Sequence, residues 1–432
     1  MVYLLYDLIL FLAALVLVPY YFFRGLRGGK TRQGIRERMG VYAAGRLDPL
    51  AGRPVIWIHA VSVGETRAAI PLVKALREAY PGHALLLSNV TETGREVASK
   101  IPELDLCLYF PFDLSFIMGS VLGRIRPVMA VVVETEIWPN FVRQLHRRAV
   151  PVVLVNGRIS DRSYPRYLRV RPLLEPILSL FSAHCMQSAR DGERIRGMGA
   201  PPERVHVTGN LKFDMKAEIP SQAQCLELRR RMRLPKQVPV WVAGSTHAGE
   251  EEILCGVHRR LLEQDEPCCL VLVPRHPSRC KSLTALLDAR GIPWRLRSRL
   301  DAQSPELAPG EVLVVDTLGE MLSFYALCDF VFVGGSLVPV GGHNVLEASL
   351  MGRPAVFGPH MSNFRDIARL LQEAGGGRRV ADEEELLACV RQLRASPELC
   401  RGMGEKGRAL LDANTGATAR TMEHVRRLMG RA

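Results

Sequence analysis

The 432-residue chain carries ten cysteines, yet it has no CxxC pair and no Cys/His spacing of the kind a zinc site uses. The cysteines are scattered singly, apart from Cys268 and Cys269, which open the apolar run CCLVLV and would alternate across a strand. This argues against a disulfide framework or a metal centre and for reduced thiols acting as small core residues in a cytoplasmic compartment. Neither half opens its first strand-to-helix turn with GxGxxG, which argues against a nicotinamide cofactor, and no aspartate pair is suited to a divalent ion. No cofactor and no metal are therefore expected. Aromatic residues are sparse, at 6%, which speaks against a platform that stacks single-stranded nucleic acid, so nucleic acid is not an expected partner.

What the chain has is length, apolar content and positive charge. At 432 residues with 47% hydrophobic content it exceeds one ordinary core, and two domains follow. A formal charge of +13 calls for an anionic partner, such as acidic lipid headgroups or a phosphorylated substrate. The first 23 residues, MVYLLYDLILFLAALVLVPYYFF, are apolar except for Asp7 and long enough to reach across or deep into a bilayer. Arg24, Arg27, Lys30, Arg32, Arg36 and Arg38 follow at once. A cleaved signal peptide has its cations in front, so the run reads as an anchor, single-pass or interfacial, with the rest of the chain on the cytoplasmic side.

Beyond the anchor, short β-branched runs alternate with helical periodicity, the mark of parallel sheets covered on both faces. PVIWI, ALLLSNV, VMAVVVE, VPVVLV and VHVTG form one series, and VPVWVAG, CCLVLV, VLVVD, DFVFVG and PAVFG a second. The fold class expected is α/β, two Rossmann-like doubly wound domains with an interdomain cleft, plus the N-terminal anchor helix. The expected divisions are an anchor over 1–23, a basic juxtamembrane segment over 24–52, a first domain over 53–210, a linker over 211–235, a second domain over 236–410 and a C-terminal helix over 411–432. Ligands of such folds bind beyond the carboxyl ends of the strands.

Several segments at those ends carry candidate chemistry. In HAVSVGET, Glu65 lies at a strand-to-helix turn, placed either as a general base or as the far member of a capping box begun by Ser62. In ETEIWPN, Glu134 and Glu136 end an apolar strand, and a hydrogen-bonding role for one of them is favoured over a metal site. Lys212 follows a glycine at the hinge. In VPRHP, Arg275 and His276 leave a strand where a guanidinium suits a phosphate, the alternative being surface charge. Leu318, Gly319 and Glu320 open a helix whose backbone donors favour an anion. In VGGSLVPVGGHNVLEA the glycines admit a ligand to the backbone, and Glu347 is placed to accept bonds from ribose hydroxyls, although Asn344 with Glu347 is also a capping arrangement.

Taken in order, HAVSVGET, ETEIWPN, TGNLKFD, AGSTHAGEE, VPRHP, DTLGEM and GGHNVLEA resemble the motif series of the bacterial 3-deoxy-D-manno-octulosonate (Kdo) transferases. The resemblance implies the GT-B fold, CMP-Kdo as donor, and an inverting transfer to the lipid A precursor on the cytoplasmic face of the inner membrane in lipopolysaccharide synthesis. It makes Glu65 the proton acceptor and Glu134 and Lys212 the stabilisers of the transition state. It assigns CMP binding to Pro274 and Arg275, to Leu318, Gly319 and Glu320, and to Asn344, Val345, Leu346 and Glu347. Ala248 and Ala348 stand where members often carry glutamate and proline. The alternatives are a UDP-sugar transferase or UDP-N-acetylglucosamine epimerase of the same fold, and a non-catalytic scaffold whose basic face binds an anionic membrane surface.

Overall fold

The computed structural model of the protein describes residues 6–7, 10–12, 32–215, 218–235 and 238–430. Among these, the strands form two all-parallel sheets of seven. The first contains β1 (Val55–His59), β2 (Ala84–Asn89), β3 (Leu106–Tyr109), β4 (Pro127–Val133), β5 (Val152–Gly157), β6 (Ala183–Met186) and β7 (Val205–Val207), in the order β3-β2-β1-β4-β5-β6-β7. The second contains β8 (Val240–Thr246), β9 (Cys269–Pro274), β10 (Trp294–Leu296), β11 (Val312–Val314), β12 (Phe330–Val333), β13 (Ala355–Phe357) and β14 (Gly377–Arg379), in the order β10-β11-β9-β8-β12-β13-β14. The doubly wound α/β class expected from the sequence is the one found.

The ten apolar runs read as strands all form strands. Four further strands were not legible as apolar runs. β3 and β6 have only four residues each, and β10 and β14 are three-residue edge strands carrying Arg295, Arg378 and Arg379. The central strands are buried along their whole length, as β1 and β2 illustrate, because helices cover both faces of the sheet. On one face of the first sheet Trp57, Phe110 and Phe141 pack edge to face, with Trp57 and Phe141 centroids 5.0 Å apart. All ten cysteines are free thiols, and eight are buried.

The chain divides into two compact units, one comprising residues 1–215 with 414–432 and the other 216–413. The helix Ala417–Met429 thus belongs to the first unit, where Met422 and Val425 join the core formed with Leu72 and Leu76 of the helix Val63–Ala79. Asp214 holds the start of that C-terminal helix, accepting from Gly416 N at 2.6 Å and from Thr418 N. In the second unit, the polar stretch after residue 220 forms the helix Gln222–Arg231, opened by a capping box between Ser221 and Gln224.

Most of the expected anchor lies outside the described residues. Among the described residues no helix is long and apolar enough to cross a membrane. Two residues of that run are seen to bond to the first unit. Tyr6 donates to Asp113 at 3.1 Å, and Asp7 accepts from Asn140 Nδ2 at 2.6 Å and from Ser115 N at 3.2 Å.

Candidate active site

In each sheet the order reverses beside the first strand of the unit, between β1 and β4 and between β8 and β12. Such reversals leave a crevice at the carboxyl ends of the strands. The candidate residues of the first unit are grouped at its reversal.

β1 ends at His59, and the chain turns through Ala60 and Val61 to Ser62, the N-cap of the helix Val63–Ala79. The Ser62 hydroxyl accepts from Glu65 N at 3.4 Å and donates to Glu65 Oε1 at 2.8 Å, while Val61 N donates to Glu65 Oε2 at 2.6 Å. The cap foreseen from the spacing is therefore present, with the return bond to Val61 instead of the Ser62 backbone. A carboxylate offers about four lone-pair positions. Two are used here, so the cap fixes Glu65 without exhausting it as an acceptor. Burial pushes its carboxyl up to about 7, the charge of Glu134 adds to this, and the bonds from Val61 and Ser62 oppose it.

Glu134 is the first residue beyond β4. Its N–H continues the ladder to Val155 O at 2.8 Å, but its φ of 59° lies in the left-handed region, where a non-glycine residue is held at a cost. That turn ends the strand's alternation. Thr135 is fixed against Arg158, whose N donates to Thr135 Oγ1 at 3.1 Å. Glu136 is half-buried and makes no hydrogen bond or ion pair among the described residues. Burial pushes it up to about 7, and the charges of Glu65 and Glu134 push the same way. The sequence names it beside Glu134, but the motif resemblance gives it no role. The signal for it was its spacing from Glu134, but only the bend at Glu134 brings it towards Glu65.

Lys212 is carried by the turn Leu211–Asp214. Asn156, itself left-handed at φ 56°, accepts from Leu211 N at 3.0 Å, and Asn210 accepts from Lys212 N at 3.0 Å. Gln187 links the two asparagines, donating to Asn156 O at 2.9 Å and accepting from Asn210 Nδ2 at 3.0 Å. This brace sets Lys212 Nζ 3.8 Å from Glu134 Oε1. Glu65, Glu134 and Lys212 are thus brought together, with Glu136 added. By contrast, His59 of HAVSVGET is a core residue. It packs against Phe110 with centroids 3.9 Å apart and the rings tilted by 30°, and burial pushes its imidazole down to about 3.

The nucleotide-binding candidates all lie in the second unit, beyond β9, β11 and β12. Pro274 is the last residue of β9, and Arg275 N donates to Thr246 O at 3.0 Å. Leu318 is 81% exposed, and Gly319, at φ +86°, has no neighbour within reach of an added Cβ. Glu320 precedes the helix Met321–Leu327 without a side-chain cap bond to it and pairs with Arg297 at 2.8 Å. Asn344 Oδ1 accepts from Leu346 N at 3.2 Å, Val345 and Leu346 are buried, and Glu347 is half-buried in the short helix Leu346–Leu350. Val345, not Asn344, stands at the N-cap of that helix and makes no side-chain cap bond, while Gly335, Gly341 and Gly342 of the loop have positive φ.

This fold is shared with solved structures of low sequence identity. A glycosyltransferase from Rickettsia africae superposes over 88% of this chain and 100% of its own with a TM-score of 0.56 at 13% identity. A UDP-GlcNAc 2-epimerase from Neisseria meningitidis, solved with UDP-GlcNAc, gives 0.56 over 87% of this chain and 100% of its own at 13% identity.

Sequence relatives are more specific than the fold. Residues 33–215 match the model of the 3-deoxy-D-manno-octulosonic-acid transferase (kdotransferase) family. The 3-deoxy-D-manno-octulosonic acid transferase of Haemophilus influenzae is 34% identical over 92% of this chain and 92% of its own, and that of Bordetella pertussis 35% identical over 93% and 94%. The chain belongs to the Kdo transferase family and is a glycosyltransferase.

Proposed function

We propose that this glycosyltransferase moves Kdo from CMP-Kdo to the lipid A precursor, with inversion and with Glu65 as the general base. The acceptor hydroxyl attacks the anomeric carbon and gives its proton to Glu65. The bond from that carbon to the phosphate oxygen breaks, and its electron pair leaves with CMP. Glu134 and Lys212 act on charge developing in the transition state, the ammonium also facing the sugar carboxylate. CMP is bound by Pro274, Arg275, Leu318 to Glu320 and Asn344 to Glu347. The work takes place at the cytoplasmic face of the inner membrane, where the basic segment after the apolar run meets anionic headgroups.

The observation that carries this reading is Glu65 itself, a buried carboxyl pushed up to about 7 that is oriented by Val61 and Ser62 and grouped with the Lys212–Glu134 pair. A base of that pKa is half in its accepting form at neutral pH, close to the optimum for proton transfer. The test is incubation with CMP-Kdo and tetraacylated lipid A precursor, with the product read by mass spectrometry. Kdo addition with release of CMP supports the reading. Release of UDP from a UDP-sugar, with CMP-Kdo left untouched, would overturn it.

A further inference from the structure

At the reversal point of the second sheet two histidines that none of the motif assignments uses meet directly. His247 follows β8 and His343 lies in the glycine-rich loop after β12; their Nε2 atoms are 2.8 Å apart with the rings only 5° from parallel. His276, leaving β9, sets its ring 6.4 Å from that of His247. Three strand-end loops therefore each bring an imidazole to one place. Gly335, at φ +66°, lies against both rings, since a Cβ there would stand 3.1 Å from His343 and 3.4 Å from His247.

In a doubly wound unit, backbone N–H groups at this point commonly hold a phosphate. Here they are already occupied. The fully buried Glu250 accepts from Gly335 N at 2.5 Å, His247 N at 2.9 Å, Ser336 N at 3.2 Å and Leu337 N at 3.4 Å. The carboxylate ties the two loops together and takes the donors that an anion would otherwise use. The three imidazoles and Arg275 also lie at this end of the sheet.

We propose that the His247–His343 pair is the subsite for the phosphate of the nucleotide-sugar donor, an inference that rests on the donor reading above. In the neutral pair one ring donates from Nε2–H and the other accepts at Nε2. When the phosphate enters, the accepting Nε2 takes a proton from solvent, the bond between the rings breaks, and both Nε2–H groups turn to phosphate oxygens. The proton returns to solvent when CMP leaves. The groups acting on His247 are His343 on the loop after β12, Arg275, His276 and Arg279 beyond β9, and Glu250 and Glu251 on the helix Glu250–Glu263 that follows its own loop. Burial, His276 and the arginines hold His247 below its ordinary value in the free protein, so protonation awaits the anion.

The test is calorimetric titration of the full chain and of His247→Gln and His343→Gln with CMP and with cytidine. It is run between about pH 7 and 8.5, above the second phosphate ionisation near 6, in two buffers of different ionisation enthalpy. The wild type is expected to take up a proton with CMP and none with cytidine, so its CMP affinity falls as pH rises. Each variant is expected to weaken CMP by about 10-fold to 100-fold, to lose the proton uptake and to bind cytidine as before. Variants that bind CMP like the wild type, or that lose CMP and cytidine equally, would overturn the subsite. A wild type that binds UDP in place of CMP would overturn the donor reading alone, and the same variants compared on UDP and uridine would still decide the role of the imidazoles.

Discussion

Glu65 serves two purposes with one side chain. Its cap role was legible from the Ser62 spacing alone, because a capping box is local in sequence. Its burial against Glu134 was not legible, because that depends on β1 pairing with β4. The chemistry follows from the burial. A base acts in its ionised form, so kcat/KM should rise with pH to about 7 and level off above it. Glu134→Gln removes a charge that raises Glu65, so this limb should move to lower pH while the rate falls; an unmoved limb in the pH profile would contradict the coupling. Glu136 makes a separate prediction. Its folded-state carboxyl titrates above its unfolded one, so the folded chain holds the proton more tightly and loses stability as pH rises from about 4.5 to about 7. Glu136→Gln should therefore raise stability at pH 8 by roughly 1 to 3 kcal/mol and change it little at pH 4, as read by urea unfolding.

At the scale of elements, most of the strands that could be read from sequence were those buried on both faces, where continuous apolar runs are unavoidable, with the edge strand β7, whose Val207 is exposed, as the exception. β10 and β14 escaped because an edge strand tolerates arginine, and β6 because its buried His184 bonds to Leu178 O at 3.0 Å and so interrupts no packing. The destination of the C-terminal helix was also hidden, since Met422 and Val425 meet a core built by distant segments, and the start of the helix is held by the carboxylate of Asp214, two residues from Lys212 in the turn Leu211–Asp214. Asp214→Ala should cost about 0.5 to 2 kcal/mol through lost capping and lower transfer through a loosened Lys212 turn. Denaturant unfolding and kcat measured on the same preparation check both effects. Loss of stability with an unchanged kcat would separate the cap from the lysine.

For the molecule as a whole, the positive charge called for an anionic partner, and the family was identified from seven short motifs in order before any contact was known. The division into units was less legible, because the last helix returns to the first unit after nearly two hundred residues of the second. Removing residues 1–31 should weaken transfer to acceptor embedded in vesicles far more than binding of CMP, because the apolar run and the first cations after it act on the membrane-held acceptor only. Equal loss of both, measured side by side, would argue against an anchoring role. The most direct test of the proposed mechanism is the rate of Kdo transfer by Glu65→Gln on tetraacylated lipid A precursor, with product counted by mass spectrometry and CMP affinity measured in parallel. Transfer should drop by about 100-fold or more with CMP binding unchanged. A Glu65→Gln variant that transfers Kdo at the wild-type rate would show that Glu65 is a helix cap and that the base lies elsewhere.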